Sequence, residues 1–158
     1  IGSCKKARRN TMTHHPLASH FFVLLQFSSI GVGLYPIAEA QNPLAWLTIT
    51  GLGVLVGIYT LMHNKLGNFA IYPEILDNAN FIVTGPYQWV RHPMYLSVML
   101  FMVGMVIYNN HWINSLSLIT LSLAILGKMH KEEQYLQTRF SNYSDYMRSH
   151  KRLIPFIY

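Results

Sequence analysis

Three long uncharged runs dominate this chain. No Asp, Glu, Lys or Arg occurs from Asn10 to Ala38, from Ala40 to Asn64, or from His92 to Gly127. A bilayer core of about 30 Å needs about 20 apolar helical residues, so each of the first two runs holds one span. The third holds two shorter ones if the chain reverses at Asn109-Asn110-His111. The pattern predicts spans over about 20–38, 44–63, 94–108 and 112–128. At 1.5 Å per residue the last two are about 25 Å long, a tilted pair in thinned bilayer or a short hairpin. Within the first two spans, Ser28, Gly31, Gly33, Gly51, Gly53 and Gly57 are the small residues that let membrane helices approach closely. The fold class is therefore all-α: a polytopic membrane protein of about four transmembrane helices.

Composition agrees. Of 158 residues, 51% are hydrophobic and 11% charged, and mean hydropathy is +0.23, too apolar for an ordinary soluble domain. The cations add orientation. Every Lys and Arg lies in the N-terminal segment (Lys5, Lys6, Arg8, Arg9), between the second and third spans (Lys65, Arg91), or from Lys128 onward. Four spans put all three groups on one side, and the positive-inside rule makes that side cytoplasmic, both termini included. Anionic inner-leaflet lipids then account for the net charge of +6 without a nucleic-acid partner.

The lone Cys4 excludes an intrachain disulfide and a cysteine-based zinc site. His14, His15 and His20 lack the spacing of a metal site, and none is expected. The chain opens on Ile1, which leaves Met12 a candidate natural start. Residues 1–158 read as one domain, with a basic N-terminal segment at 1–18 and a motif-bearing core at 63–158.

The chemistry gathers where polar residues meet the apolar runs. Gly85-Pro86-Tyr87-Gln88-Trp89-Val90-Arg91-His92-Pro93-Met94-Tyr95 sets a turn, aromatics, a cation and an imidazole against the third span. One hairpin later come Lys128, Lys131, Glu132 and Glu133. Ionisable groups at the mouth of a span are costly and therefore read as functional. The connection leading to Gly85 is about thirty residues long. It opens on a helix end stopped by Gly67 and closes on an extended segment, Asn78–Pro86. Such a long connection in a small domain is usually functional. Beyond Lys128 the chain predicts a cytoplasmic amphipathic helix through Glu132, Glu133, Leu136 and Phe140, with Tyr143 and Tyr146 as packing or belt residues.

At these residues the chain resembles the isoprenylcysteine carboxyl methyltransferase family and its phospholipid-methyltransferase relatives. The resemblance is carried by Gly85-x-Tyr87-x3-Arg91-His92-Pro93-x-Tyr95 and by Glu132-Glu133-x2-Leu136-x3-Phe140-x2-Tyr143-x2-Tyr146. His63-x2-Leu66-Gly67-Asn68 before them and Leu153-x-Pro155 after them extend it. It implies S-adenosylmethionine as cofactor, bound at the cytoplasmic face, and a lipophilic or lipidated acceptor. Carried over, His92, Pro93, Met94 and Tyr95 line the cofactor pocket with Tyr87. Ala79, Asn80, Phe81 and Ile82 supply backbone contacts to adenine and ribose, Glu132 pairs with the cofactor's amino group, and Glu133 supports the helix. The residue types suit those roles. A helix N-terminus favours a carboxylate, Pro93 in its first turn consumes no useful donor, and a carboxylate favours an ammonium.

In the family an arginine one turn before the cofactor glutamate holds the acceptor carboxylate. Here that position is Lys128, a point charge without the bidentate fork. Lys128 is the candidate catalytic cation, and its alternative is a snorkelling residue at a span end. Arg91 is the second catalytic candidate, its alternative a loop anchor to headgroups. Phospholipid amines and small thiols stay open as acceptors beside a prenylcysteine carboxylate. A sterol-reductase-like enzyme using NADPH and a non-catalytic membrane adaptor are the rival classes.

Overall fold

The computed structural model describes residues 16–36, 43–64 and 81–158. They form four long helices, α1 (Pro16–Leu34), α2 (Pro43–His63), α3 (Pro93–Asn109) and α4 (Trp112–Arg139), and a short α5 (Tyr143–Ser149). The helices run alternately up and down. α2 lies against α3 with Gly53 beside Phe101 and Gly104 beside Thr50; α1 lies against α4 with Gly33 near Ser117 and Gly127 near Phe22. A Cβ on Gly53 would come within 2.6 Å of the Phe101 backbone nitrogen, so α2 and α3 touch backbone to backbone. Gly31 and Gly51, expected in the same role, have open space where a Cβ would stand.

The outer surface is apolar. Leu24 is 70% exposed and Leu55 65%, while a small core of Met102, Leu121, Ile125 and Met129 lies between α3 and α4. Water would not tolerate so continuous an apolar exterior, and lipid does. α1, α2 and α4 are long and apolar enough to cross a membrane; α3 is a shorter apolar helix. The protein is thus a polytopic all-α integral membrane protein.

Boundaries differ from expectation at three places, the first being the start of α1 at Pro16 rather than near residue 20. α1 ends at Leu34 rather than near residue 38, because Tyr35 precedes Pro36 and a residue before proline disfavours helical ψ. α4 does not stop near Lys128 and yield to a separate helix; it continues unbroken to Arg139. Lys, Glu, Gln and Leu are good helix formers, so nothing locally interrupts it. Its apolar, span-grade part closes at Gly127, and the following dozen residues form its polar end, with Lys128, Met129 and Glu133 still buried.

Two buried amides complete the opposite end. Asn114 Nδ2 donates to the carbonyls of Val32, Gly33 and Tyr35, each at 3.1 Å, and Asn109 Nδ2 donates to Gly33 at 2.9 Å. They satisfy the orphan carbonyls at the end of α1. The α3–α4 reversal falls where expected, with Asn110 left-handed at φ 44°. The helix end expected at Gly67 and most of the connection before Phe81 lie outside the described residues; α2 ends at His63.

Candidate active site

α3 and the polar end of α4 meet because the two helices are antiparallel, which sets the first turn of α3 beside Lys128–Glu133. Pro93 fixes where α3 begins, and His92 before it takes φ −127°, ψ 62° as N-cap without capping through its side chain. Its imidazole turns instead to the acids, with Nε2 3.1 Å from Glu133 Oε1 and Nδ1 3.7 Å from Glu132 Oε2. A carboxylate only accepts, so Nε2 carries the donated proton.

Adjacent on α4, the two glutamates face differently. Glu133 is 2% exposed. Its Oε1 lies 2.9 Å from Arg91 Nη1 and 3.2 Å from Arg152 Nε, and its Oε2 pairs with Arg152 Nη2. Burial alone would raise its pKa, but hydrogen bonds from His92 and Arg152 and the positive charge of His92 and Arg91 outweigh that and hold it at about 2. Both oxygens are thereby engaged. Glu133, expected beside the cofactor glutamate as a support for the helix, is the anionic hub that joins Arg91, Arg152 and His92.

Glu132 is different. Its side chain is 32% exposed, and its Oε2 accepts from the Tyr95 hydroxyl at 3.1 Å. It is the acid of this pair left open to a ligand.

Arg91, expected to touch substrate, turns its guanidinium to Glu133 and is largely buried. The pairing is ionic rather than aligned, since Nη1 meets no hydrogen-bond geometry. The tail explains its position. Lys151 bridges to Val90 in parallel, the Arg91 N–H donates to the Lys151 carbonyl at 2.8 Å, and the His92 N–H to the Arg152 carbonyl at 3.1 Å. The closing segment thus clamps the Arg91-His92-Pro93 turn in place.

Tyr87 lies in a 3-10 turn, Gly85–Gln88. Its hydroxyl accepts from Asn64 Nδ2 at 3.0 Å, and its carbonyl accepts from the Tyr146 hydroxyl at 2.6 Å. Burial, then the charge of Glu132, push the Tyr87 phenol well above its usual pKa, so it stays neutral. Phe81 stacks on Phe140 at 5.4 Å and meets Tyr143 and Tyr146 edge-on. Its ring therefore belongs to an aromatic cluster, beside Ile82; Ala79 and Asn80 lie outside the described residues. Tyr143 and Tyr146 are buried, which makes them packing residues rather than an interfacial belt.

Lys128 does not snorkel. It is 3% exposed, its Nζ donates to Gln26 Oε1 of α1 at 2.7 Å, and it lies 5.7 Å from the centre of the Tyr95 ring. Sequence reading singled out neither Gln26 nor Arg152. An amide in the middle of an apolar span was the available signal for the first. For the second it was a cation beside the Leu153-x-Pro155 segment. Among the described residues no cluster of metal-ligating side chains occurs.

The donor set suits an amino-acid zwitterion. An uncapped helix N-terminus and a partly open carboxylate stand side by side, joined by the Tyr95 bond, and such an end group carries a carboxylate and an ammonium on one carbon. A family model described as the isoprenylcysteine carboxyl methyltransferase family matches residues 47–138, more than half of the chain. A search of curated proteins returns no match.

Proposed function

Because the chain belongs to the isoprenylcysteine carboxyl methyltransferase family, we propose that it methylates a lipophilic acceptor at the cytoplasmic membrane face, with S-adenosylmethionine as donor. Membership makes it a membrane methyltransferase; donor, acceptor and sidedness are the proposal. The observation that carries it is the pairing of open Glu132 with the uncapped start of α3.

The bound cofactor supplies a methyl group activated on a sulfonium. Glu132 holds its ammonium, and the backbone N–H groups of Met94 and Tyr95 receive its carboxylate. Tyr87 and Tyr95 present aromatic faces to the cationic centre, while Phe81 and Ile82 offer backbone contacts to the adenosine. The acceptor we favour is a carboxylate on a prenylated cysteine. Lys128 is the cation one turn from Glu132, and an ammonium held among helices suits an anionic group. The apolar groove of about 270 Å³ bounded by Ile30, Gly53, Ile58 and Phe101 suits the hydrocarbon.

A carboxylate at neutral pH carries no proton to remove, so no general base is required. Its oxygen would bond to the methyl carbon as the bond from sulfur to that carbon breaks, and the electron pair of that bond would stay on sulfur. The side chains align the two and keep water out. The cations at this end of the bundle, Arg91, Lys131, Arg139, Arg148, Lys151 and Arg152, support a cytoplasmic orientation.

The test is calorimetric binding of S-adenosylmethionine or its demethylated product to the protein in nanodiscs, followed by labelled-methyl transfer to prenylcysteine, thiol and phospholipid-amine acceptors. Binding in the micromolar range and labelling of the prenylcysteine carboxylate are expected. A folded protein that binds neither form of the cofactor would remove the reading.

A further inference from the structure

Gln26 is the one amide side chain within α1, a helix otherwise built of apolar and small residues with His20 near its start. An amide at that depth is costly unless it finds a partner. Its partner comes from 102 residues away: Lys128 Nζ donates to Oε1 at 2.7 Å. The direction matters. Side chains on an α-helix lean towards its N-terminus, which for α4 lies at the opposite end of the bundle. A lysine could still bend back to the headgroups, but this one runs inward and is 3% exposed. A buried ammonium drawn into the bundle is a functional group by default.

The packing around Gln26 fixes where its amide stands. On one side Gly127 lets the Phe22 ring approach so closely that a Cβ would fall 2.4 Å from it. On the other, Ser29 and Thr120 share a hydrogen bond of 2.9 Å. Between these two contacts α1 is held close against α4, and Gln26 faces the Lys128 side chain. From there the contacts continue: Nζ lies 5.7 Å from the Tyr95 ring centre, and the Tyr95 hydroxyl donates to Glu132 at 3.1 Å. An α1 side chain is thereby linked, through α4 and α3, to the carboxylate assigned to the cofactor.

Resting on the methyltransferase reading, we propose that Gln26 is a positioning residue for the acceptor: it holds the Lys128 ammonium inside the bundle and adds an amide donor beside it, a two-donor seat for a lipophilic carboxylate. The geometry of an amide suits this. Oε1 faces Lys128, and Nε2, which no described residue engages, stays available for the second carboxylate oxygen. A lone ammonium lacks the fork that orients a carboxylate, and Gln26 supplies the missing second donor. α1 lies outside the stretch matched by the family model, so acceptor choice is in part a property of this chain's own first helix.

The test compares wild type with Gln26→Met and Gln26→Glu in nanodiscs, using N-acetyl-S-farnesylcysteine as acceptor and calorimetry of the demethylated cofactor as control. Gln26→Met keeps the side-chain shape and removes the amide. We expect the acceptor KM to rise at least about tenfold, the loss of one charge-assisted contact, with cofactor affinity within about twofold of wild type. Gln26→Glu keeps size and an oxygen for Lys128, but it neutralises the ammonium and repels a carboxylate, so methylation of this acceptor should be lost. A purely structural role predicts the reverse, rescue by Gln26→Glu. Wild-type kinetics in Gln26→Met, activity retained in Gln26→Glu, or loss of cofactor binding in Gln26→Met would each overturn the proposal while the methyltransferase reading stands. A wild type that binds cofactor but methylates only neutral acceptors overturns it too. A wild type that binds no cofactor fails at the earlier step and removes both.

Discussion

His92 Nε2 and Glu133 Oε1 are joined at 3.1 Å across forty-one residues, and both side chains are buried. With Arg91 and Arg152 on the same carboxylate, this bond ties the start of α3, the polar end of α4 and the closing tail into one unit. The cluster shapes the site without presenting an open oxygen to a ligand.

Glu133→Ala is therefore expected to damage the fold before it touches chemistry. Removing the carboxylate leaves Arg91, Arg152 and His92 facing one another where water is scarce, and breaking a buried ion pair from one side costs about 3–5 kcal/mol. Arg152 is partly exposed, which places the expected loss near the lower end. Unfolding in mild detergent, followed by circular dichroism, measures it; stability equal to wild type would contradict the cluster's role.

Acid should act through the same group. Glu133 has its pKa lowered from 4.5 to about 2 in the folded protein, so between those values the unfolded chain takes up a proton that the folded one refuses. The stability this contributes is complete above about pH 5 and is lost as pH falls through 4.5 towards 2. Glu133→Gln should flatten that part of the stability profile. An unchanged acid limb in the variant would assign the pH dependence elsewhere.

Glu132→Ala is expected to show the opposite division. Its carboxylate is partly open and accepts from the Tyr95 hydroxyl, so thermal stability should change by less than about 1 kcal/mol. Cofactor affinity should fall by about 1.5–3 kcal/mol, the range for a hydrogen bond to a charged group. Calorimetry beside a melting curve reads both, and equal affinities would remove Glu132 from the cofactor site.

Gly85 has φ +63°, and a Cβ there would fall 2.2 Å from the His63 ring. Gly85→Ala should cost about 1–3 kcal/mol from the left-handed backbone alone, with a further loss if the imidazole cannot move. The double variant with His63→Ala separates the two. Recovery of only part of the loss is expected, and full recovery would show that the backbone conformation is not the constraint.

Asn114→Leu should unfasten the far end of the bundle. Its amide donates to the Val32 and Gly33 carbonyls of α1 and to that of Tyr35 just beyond it, and stranding them should cost about 1–3 kcal/mol. Hydrogen exchange of α1 amides near Leu34 should speed up while the α2–α3 pair stays protected. Uniform exchange across the bundle would count against a local cap.

Hydropathy and punctuation determined much of this protein. The uncharged runs, Pro93 and the Asn109-Asn110 turn mark four helices in a membrane, because span length and helix breaking depend on consecutive residues alone. The motif around Arg91-His92-Pro93 and Glu132-Glu133 likewise marked residues that the fold brings together at the start of α3 and the polar end of α4. Its internal division was another matter. Neighbouring glutamates on one helix point about 100° apart, and what each meets is set by elements distant in sequence. Arg152 arrives from the tail and saturates Glu133, while Glu132 stays open. Arg91 is drawn to that same carboxylate. Lys128 turns inward, where α1 offers Gln26 as a partner. Tertiary structure alone decided these, since a long charged side chain goes where its partner lies, and the partners come from chain segments that only folding brings together.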